Sequence, residues 1–141
     1  MPLTDEQKRL IQKSYAEIDR QNSNFAAIFY DCLFAMAPLI RPMFKSERPV
    51  FEYHFNELIS TAATKVFEFE EIKPRLVVLG QKHRGYGVTP AQFDVVRSAL
   101  MLSIQDCLRD TCNPAIEQAW SCYYDEIAKV MIAAMEEAPA P

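Results

Sequence analysis

The chain contains only two histidines, His54 and His83, and they are its first candidates for chemistry. Neutral imidazole is a common metal ligand, and its protonation changes near neutral pH. His83 lies one turn beyond Leu79, at the end of an apolar helical run, so we expect it on an inward face. On a helical wheel His54 falls beside Phe51 and Leu58, at the edge of another apolar face. Both imidazoles are therefore predicted to lie away from solvent.

These positions leave two interpretations open. Two helices that each present an imidazole to an apolar surface could pack around a planar, apolar cofactor and bind its metal. A single histidine on an apolar face is, however, more often a core residue that makes one hydrogen bond. The residues alone do not choose between the two.

No other pattern in the sequence indicates a catalytic site. The chain has no metalloprotease motif, no glycine-rich phosphate loop and no nucleophilic serine elbow. Its cysteines show no close pairing and no zinc-ligand spacing, which favours structural thiols at Cys32, Cys107, Cys112 and Cys122. We therefore assign no catalytic residue.

Composition and charge narrow the class of protein. The 141 residues carry a net charge of −4, and 50% of them are hydrophobic, which suits one domain with a buried core. No basic patch indicates nucleic-acid binding, and no apolar run is long enough to span a membrane. The polar start of the chain does not look like a secretion signal. We expect a cytoplasmic protein.

The distribution of glycine favours an all-α fold. The chain has 3 glycines against 9 prolines, and the glycines all lie near His83, at Gly80, Gly85 and Gly87. Little material is left for the tight turns of β-hairpins. We predict six to seven helices in one domain, residues 1–137, followed by a disordered tail at 138–141.

Local signals mark where several of these helices begin. The segments 4–7 and 89–92 have the form of capping boxes, and an Asn-Pro pair at 113–114 starts the last helix. Apolar periodicity predicts one helix over 48–67 and another over 74–84, with Pro74 in the first turn of the latter. These two helices carry the two histidines.

Three segments in this order resemble the globin family, particularly bacterial single-domain globins and the haem domain of flavohaemoglobins. They are FAAIFYDCLFAMAPLIRPMF (25–44), LGQKHRGYGVTPAQFDVV (79–96) and AIEQAWSCYYDEIAKVM (115–131). The resemblance covers nearly the whole chain, from about Leu3 to Glu136. It implies a globin fold around a pocket for haem b, with its iron.

The resemblance also assigns site residues. It implies that His83 is the proximal iron ligand, with its second ring nitrogen donating to a backbone carbonyl. Tyr30 takes the distal position, where it would donate a hydrogen bond to a gas ligand, and Phe44 would stack on the porphyrin edge. The proximal and lower pocket would be lined by Leu79, Val88, Phe93 and Val96.

The distal side departs from the flavohaemoglobin pattern. One count along the chain places the usual distal glutamine at Phe51 and the next pocket residue at Phe55, and phenylalanine cannot donate a hydrogen bond. A second count uses the 29 positions between His54 and His83, the spacing of myoglobin-like globins, and makes His54 the distal histidine. We favour the first count, because the connector before the helix is short. His54 would then be a candidate sixth iron ligand or would lie at the haem edge.

These assignments imply a protein that binds the diatomic gases O2, CO or NO and serves oxygen binding or transport. One alternative is a nitric oxide dioxygenase or peroxidase-like enzyme that uses an external reductase, since the chain carries no reductase domain. The tyrosine–glutamate pair behind the proximal histidine of flavohaemoglobins is replaced here by Phe93 and by a residue near Met135 to Glu137. Another alternative is a redox or gas sensor with His54 as a reversible ligand. The oligomeric state is left open.

Overall fold

The computed structural model describes residues 2–21 and 24–137. Within these ranges the chain forms six α-helices, three short 3₁₀ segments and no strand, so the predicted all-α class is confirmed. The α-helices are α1 (Asp5–Gln21), α2 (Phe25–Met36), α3 (Arg48–Thr64), α4 (Phe69–Gly85), α5 (Gln92–Leu108) and α6 (Pro114–Glu137). The 3₁₀ segments are Pro38–Met43, Val66–Glu68 and Arg109–Thr111. Residues 138–141, predicted as a disordered tail, lie outside the described ranges.

The predicted starts of α1 and α6 carry the expected side-chain caps, whereas α5 begins at Gln92, two residues later than the box at 89–92 predicts. The backbone N–H of Gln7 donates to Thr4 Oγ1 at 3.1 Å, and the N–H of Thr4 donates to Gln7 Oε1 at 3.0 Å. Before α6, the N–H of Ile116 donates to Asn113 Oδ1 at 2.9 Å. Before α5, the box is half formed, since the N–H of Thr89 donates to the side chain of Gln92. These caps satisfy N–H groups that a helix leaves free.

The boundary between α3 and α4 differs from the prediction. Helix α3 ends at Thr64, and α4 begins at Phe69 rather than at Pro74. Proline lacks a backbone N–H, so its position inside α4 costs one helical hydrogen bond. Ile72, before the proline, and Leu76, one turn later on the same face of α4, are both buried. The burial of Ile72 favours a helix that begins before Pro74.

The core lies where α6 packs against α4 and α1, and where α2 packs against α5. The indole N–H of Trp120 donates to Ser14 Oγ at 2.9 Å, and the Tyr123 hydroxyl donates to the carbonyl of Ala62 at 2.7 Å. Buried polar groups are costly unless they have such partners. The two bonds therefore fix α6 against α1 and α3. Among the described helices, none is long and apolar enough to cross a membrane.

Two contacts place α4, which carries His83. A side chain on Gly80 would put its Cβ atom 2.5 Å from the backbone oxygen of Met131 in α6. On the other side, Arg75 Nη2 lies 2.6 Å from Glu57 Oε1, which links α4 to α3. The close approach of Gly80 to Met131 therefore fixes where α4 crosses α6. The ion pair between Arg75 and Glu57 connects α4 with α3, the two helices that carry the histidines.

Candidate functional site

His83 lies in the last turn of α4 and is half-buried. Its Nδ1 atom is 2.7 Å from the carbonyl oxygen of Leu79. A carbonyl only accepts hydrogen bonds, so Nδ1 carries the proton and the lone pair of the neutral ring lies on Nε2. Burial lowers the pKa of His83, against the smaller raising effect of this hydrogen bond. The ring is thus held neutral, in the tautomer that leaves Nε2 available to a metal.

The surroundings of His83 are apolar. The ring centroid of Phe93 lies 6.3 Å from that of His83, and the hydroxyl of Tyr124 donates to the backbone oxygen of Phe93 at 2.8 Å. Tyr86, with its ring 6.1 Å from His83, is largely exposed. Leu79, Val88 and Val96, which the resemblance assigned to the proximal and lower pocket, are half-buried.

Among the described residues, no acidic side chain forms a hydrogen bond with His83. Phe93, which the resemblance aligned with the tyrosine of flavohaemoglobins, has no hydroxyl, and Met135 is buried while Glu136 and Glu137 are exposed. The hydrogen-bond partner of the ring is the Leu79 carbonyl, a neutral acceptor. Such a partner orients the imidazole without drawing it toward imidazolate.

Tyr30 of α2 is buried in a cluster of phenylalanine rings. Its side chain is 7% exposed, and five ring centroids lie 4.7–5.6 Å from its own, those of Phe29, Phe34, Phe44, Phe51 and Phe55. Burial raises the pKa of Tyr30, with a further contribution from the carboxylate of Glu52. The phenol therefore keeps its proton at neutral pH and can act as a hydrogen-bond donor.

Phe51 and Phe55 lie one turn apart on α3 and both face α2. Phe51 is 7% exposed, 4.7 Å from Tyr30 and 4.8 Å from Phe44 between ring centroids. Phe55 stacks on Phe29 at 4.3 Å with the rings nearly parallel. The structure thus brings Tyr30, Phe44, Phe51 and Phe55 into one aromatic cluster.

His54 does not join that cluster. It is exposed, with its ring 5.6 Å from that of Tyr53, which is 65% exposed. The helical wheel was therefore wrong to turn His54 inward. The stacking of Phe55 on α2 fixes the rotation of α3, and residues 53 and 54 then face outward.

Sequence reasoning missed the cations around this cluster. Arg48 bridges α3 to α2, with Nη2 2.6 Å from Asp31 Oδ1 and Nε 2.5 Å from Glu52 Oε2. Arg41, in the 3₁₀ segment after α2, lies over the rings of Phe34 and Phe51. The four-residue spacing of Arg48 and Glu52 was a readable signal for the first ion pair. No local pattern indicated the position of Arg41.

The aromatic cluster around Tyr30 is closely packed, with five ring centroids 4.7–5.6 Å from that of Tyr30. Two surface grooves, of about 430 and 310 Å³, lie elsewhere and include neither His83 nor Tyr30. The larger is lined by α5 and α6 residues such as Arg97 and Lys129.

Comparison with known proteins decides the family. The family model described as Globin matches residues 27–131, well over half of the chain. The chain belongs to the globin family. The resemblance read from the three sequence segments is confirmed, and membership implies that this globin binds haem.

Relatives and solved structures agree with that result. The globin is 28% identical to an anaerobic nitrite reductase of Brassica napus, over 95% of this chain and 92% of that protein. It is 26% identical to a flavohemoprotein of Bacillus subtilis, over 87% of this chain and 32% of that protein. A bacterial globin from Campylobacter jejuni has a TM-score of 0.82 at 22% identity, covering 95% of this chain and 97% of that chain. An engineered carbene transferase, described as a putative nitric oxide dioxygenase from Rhodothermus marinus, has a TM-score of 0.87 at 18% identity, over 96% of this chain and 95% of that chain. The globin fold is thereby confirmed.

The residues present fit a haem. His83 offers a neutral Nε2 and has Phe93 as an apolar neighbour, and Tyr30 lies among phenylalanine rings. The Nε atom of Arg84 is buried and has no hydrogen-bond partner within the described residues. A buried guanidinium donor calls for an acceptor, preferably a carboxylate, and haem carries two propionates.

Proposed function

We propose that this globin holds haem b through His83 and binds a diatomic gas, O2, CO or NO, on the side of Tyr30. The observation that carries the proposal is the 2.7 Å hydrogen bond from His83 Nδ1 to the Leu79 carbonyl. It leaves Nε2 free, neutral and turned away from the helix backbone. The ring of Phe93, 6.3 Å away between centroids, gives His83 an apolar neighbour.

Each site residue has a distinct role in this proposal. Haem, when bound, would supply an iron with one position open to a gas. Tyr30 would donate a hydrogen bond to the gas, because its buried phenol stays protonated. Phe51 and Phe55 would exclude water. Phe44 would stack on the porphyrin edge, and the proximal wall would be Leu79, Val88, Phe93 and Val96.

Arg84 has a place in the same arrangement. Its buried, unpartnered Nε is a donor for a haem propionate, which would convert a costly buried group into a charge-assisted hydrogen bond. The globin is proposed to work in the cytoplasm, where its four free thiols would stay reduced.

The test is haem binding by wild-type protein and by His83→Gly and His54→Gly variants, followed by visible absorption spectra. Wild type and His54→Gly should take up one haem with the same spectrum. His83→Gly should lose the wild-type bands, and free imidazole should restore them by filling the vacated position. Identical spectra for His83→Gly and wild type would exclude His83 as the ligand.

We rank two other classes of function below gas binding, a haem enzyme and a sensor. The enzyme would be a nitric oxide dioxygenase, a peroxidase-like enzyme or a nitrite reductase like those named among the relatives, and it would need a reductant. An electron-rich proximal ligand would favour peroxidase-like or dioxygenase chemistry, and the neutral Leu79 carbonyl behind His83 does not provide one. A sensor that uses His54 as a reversible ligand would require this exposed side chain to move inward.

A further inference from the structure

Arg41 covers the outer side of the distal aromatic cluster. Its Cζ atom lies 5.4 Å from the ring centroid of Phe34 and 5.4 Å from that of Phe51. Arg41 is exposed, and its Nη1 atom is 3.5 Å from the backbone oxygen of Phe44. A guanidinium that lies over two rings is held in place while its charge stays in contact with solvent.

The charge of Arg41 differs from that of its neighbour Arg48. Arg48 also lies over Phe34, at 6.0 Å, but its guanidinium is paired with the carboxylates of Asp31 and Glu52. Within the described ranges, no carboxylate forms an ion pair with Arg41. Among the described residues, Arg41 therefore differs from Arg48 in that no carboxylate balances its charge.

Phe34 and Phe51 form the layer between Arg41 and Tyr30. Their centroids are 6.2 Å apart with the rings nearly perpendicular, and they lie 5.6 and 4.7 Å from the ring of Tyr30. Rotation of either ring would open a gap between Arg41 and the ring of Tyr30. The walls of such a path are apolar, and a low-dielectric wall concentrates the field of a nearby charge.

We propose that Arg41 is a specificity-determining residue of the distal entrance, which favours small monovalent inorganic anions over neutral ligands. The anion would approach the guanidinium, pass between Phe34 and Phe51, and bind on the side of Tyr30, where a haem held by His83 would supply an iron to accept it. This inference rests on the proposed function, because it needs a haem on the Tyr30 side of α3. The neutral gases pass the same rings without help from the charge.

The experiment measures association rates with ferric, haem-loaded protein by stopped-flow absorption. Azide serves as the anionic probe and nitric oxide as the neutral one. The variants are Arg41→Gln, which removes the charge, and Arg41→Lys, which keeps the charge but replaces the guanidinium with an ammonium group. Arg9→Gln on α1 is the matched control, since it changes the net charge by the same amount at an exposed position.

Arg41→Gln should slow azide association roughly threefold to tenfold at low ionic strength, and the difference should shrink at high salt. Arg41→Lys should recover most of the rate, while nitric oxide should bind all variants equally fast. Equal azide rates for wild type and Arg41→Gln would overturn the proposal. So would an equal loss for azide and nitric oxide, because that would mean that Arg41 only supports the packing of the rings.

The measurements distinguish a failure of the proposed function from a failure of the role proposed for Arg41. If the wild type takes up no haem, or if His83→Gly binds haem unchanged, the proposed function fails and the role of Arg41 fails with it. If haem and nitric oxide bind as proposed but azide ignores Arg41, only the inference about Arg41 is lost.

Discussion

Gly80 lies so close to Met131 that a Cβ atom on Gly80 would be 2.5 Å from the Met131 backbone oxygen and 2.9 Å from its Cα atom. The obstacle is backbone, which cannot turn aside as a side chain can. Gly80 is nearly one turn before His83 on α4, so the same close approach that packs α4 onto α6 also sets the position of the candidate iron ligand.

Gly80→Ala should therefore destabilise the protein by about 1–3 kcal/mol, because α4 must move away from α6 to admit the methyl group. Urea unfolding measures the change. Gly85→Ala is the matched control, since a Cβ atom at Gly85 meets nothing within 4 Å. It should leave the free energy of unfolding unchanged or raise it by less than about 1 kcal/mol. Equal effects for the two variants would contradict the importance of the crossing.

Tyr30→Phe should increase the rate of oxygen dissociation about tenfold to a hundredfold, because a hydrogen bond to a partly charged ligand contributes about 1.5–3 kcal/mol. Carbon monoxide dissociation should change far less, since that ligand gains little charge. Stopped-flow ligand replacement measures both rates. Tyr53→Phe, at a position that is 65% exposed on α3, is the control. A Tyr30→Phe protein that holds oxygen as long as the wild type would exclude Tyr30 as the donor.

Much of the fold follows from periodicity and capping. Ile116, Trp120 and Tyr123 have the spacing of one helix face, and all three side chains are buried against the core. The capping box at Thr4 and Gln7 predicted the start of α1. These signals act within one helical turn, so the sequence carries them directly.

Other features depend on contacts between distant segments and were not predictable. The rotation of α3, which turns His54 outward, is fixed by the stacking of Phe55 on Phe29, 26 positions earlier in the chain. The start of α4 before Pro74 depends on burial of Ile72 in the tertiary core. A helical wheel shows which residues share a face of one helix, but it does not show against which other helix that face will pack.

The exposure of His54 leads to a spectroscopic prediction. The dithionite-reduced, haem-loaded protein should show the single broad visible band of five-coordinate iron, because His54 lies outside the cluster formed by Tyr30, Phe51 and Phe55. His54→Ala should give the same spectrum. Sharp, split bands in the wild type that collapse in His54→Ala would instead establish His54 as a sixth ligand and revive the sensor hypothesis.

Two buried tyrosines of α6 make the stability of the protein sensitive to alkaline pH. Tyr123 donates to the carbonyl of Ala62, and Tyr124 donates to the carbonyl of Phe93, next to the candidate site. Burial is the main cause that raises the pKa of each phenol above its ordinary value of 10.0. Above pH 10 the unfolded chain loses these protons while the folded chain keeps them. The folded state then binds more protons, so the free energy of unfolding must fall as the pH rises.

Each such tyrosine contributes about 1.4 kcal/mol per pH unit to this slope, so the pair should contribute roughly 3 kcal/mol per unit above pH 10. Urea unfolding between pH 7 and pH 12 measures it, with phenolate absorption recorded in parallel. Tyr123→Phe and Tyr124→Phe should each reduce the slope by about one proton, even though each also lowers stability at neutral pH by removing a buried hydrogen bond. A double variant whose slope equals that of the wild type would show that other groups control the alkaline transition. Phenolate absorption before unfolding that is larger in the wild type than in the double variant would show that the two hydroxyls titrate within the folded protein, which the bonds to Ala62 and Phe93 should prevent.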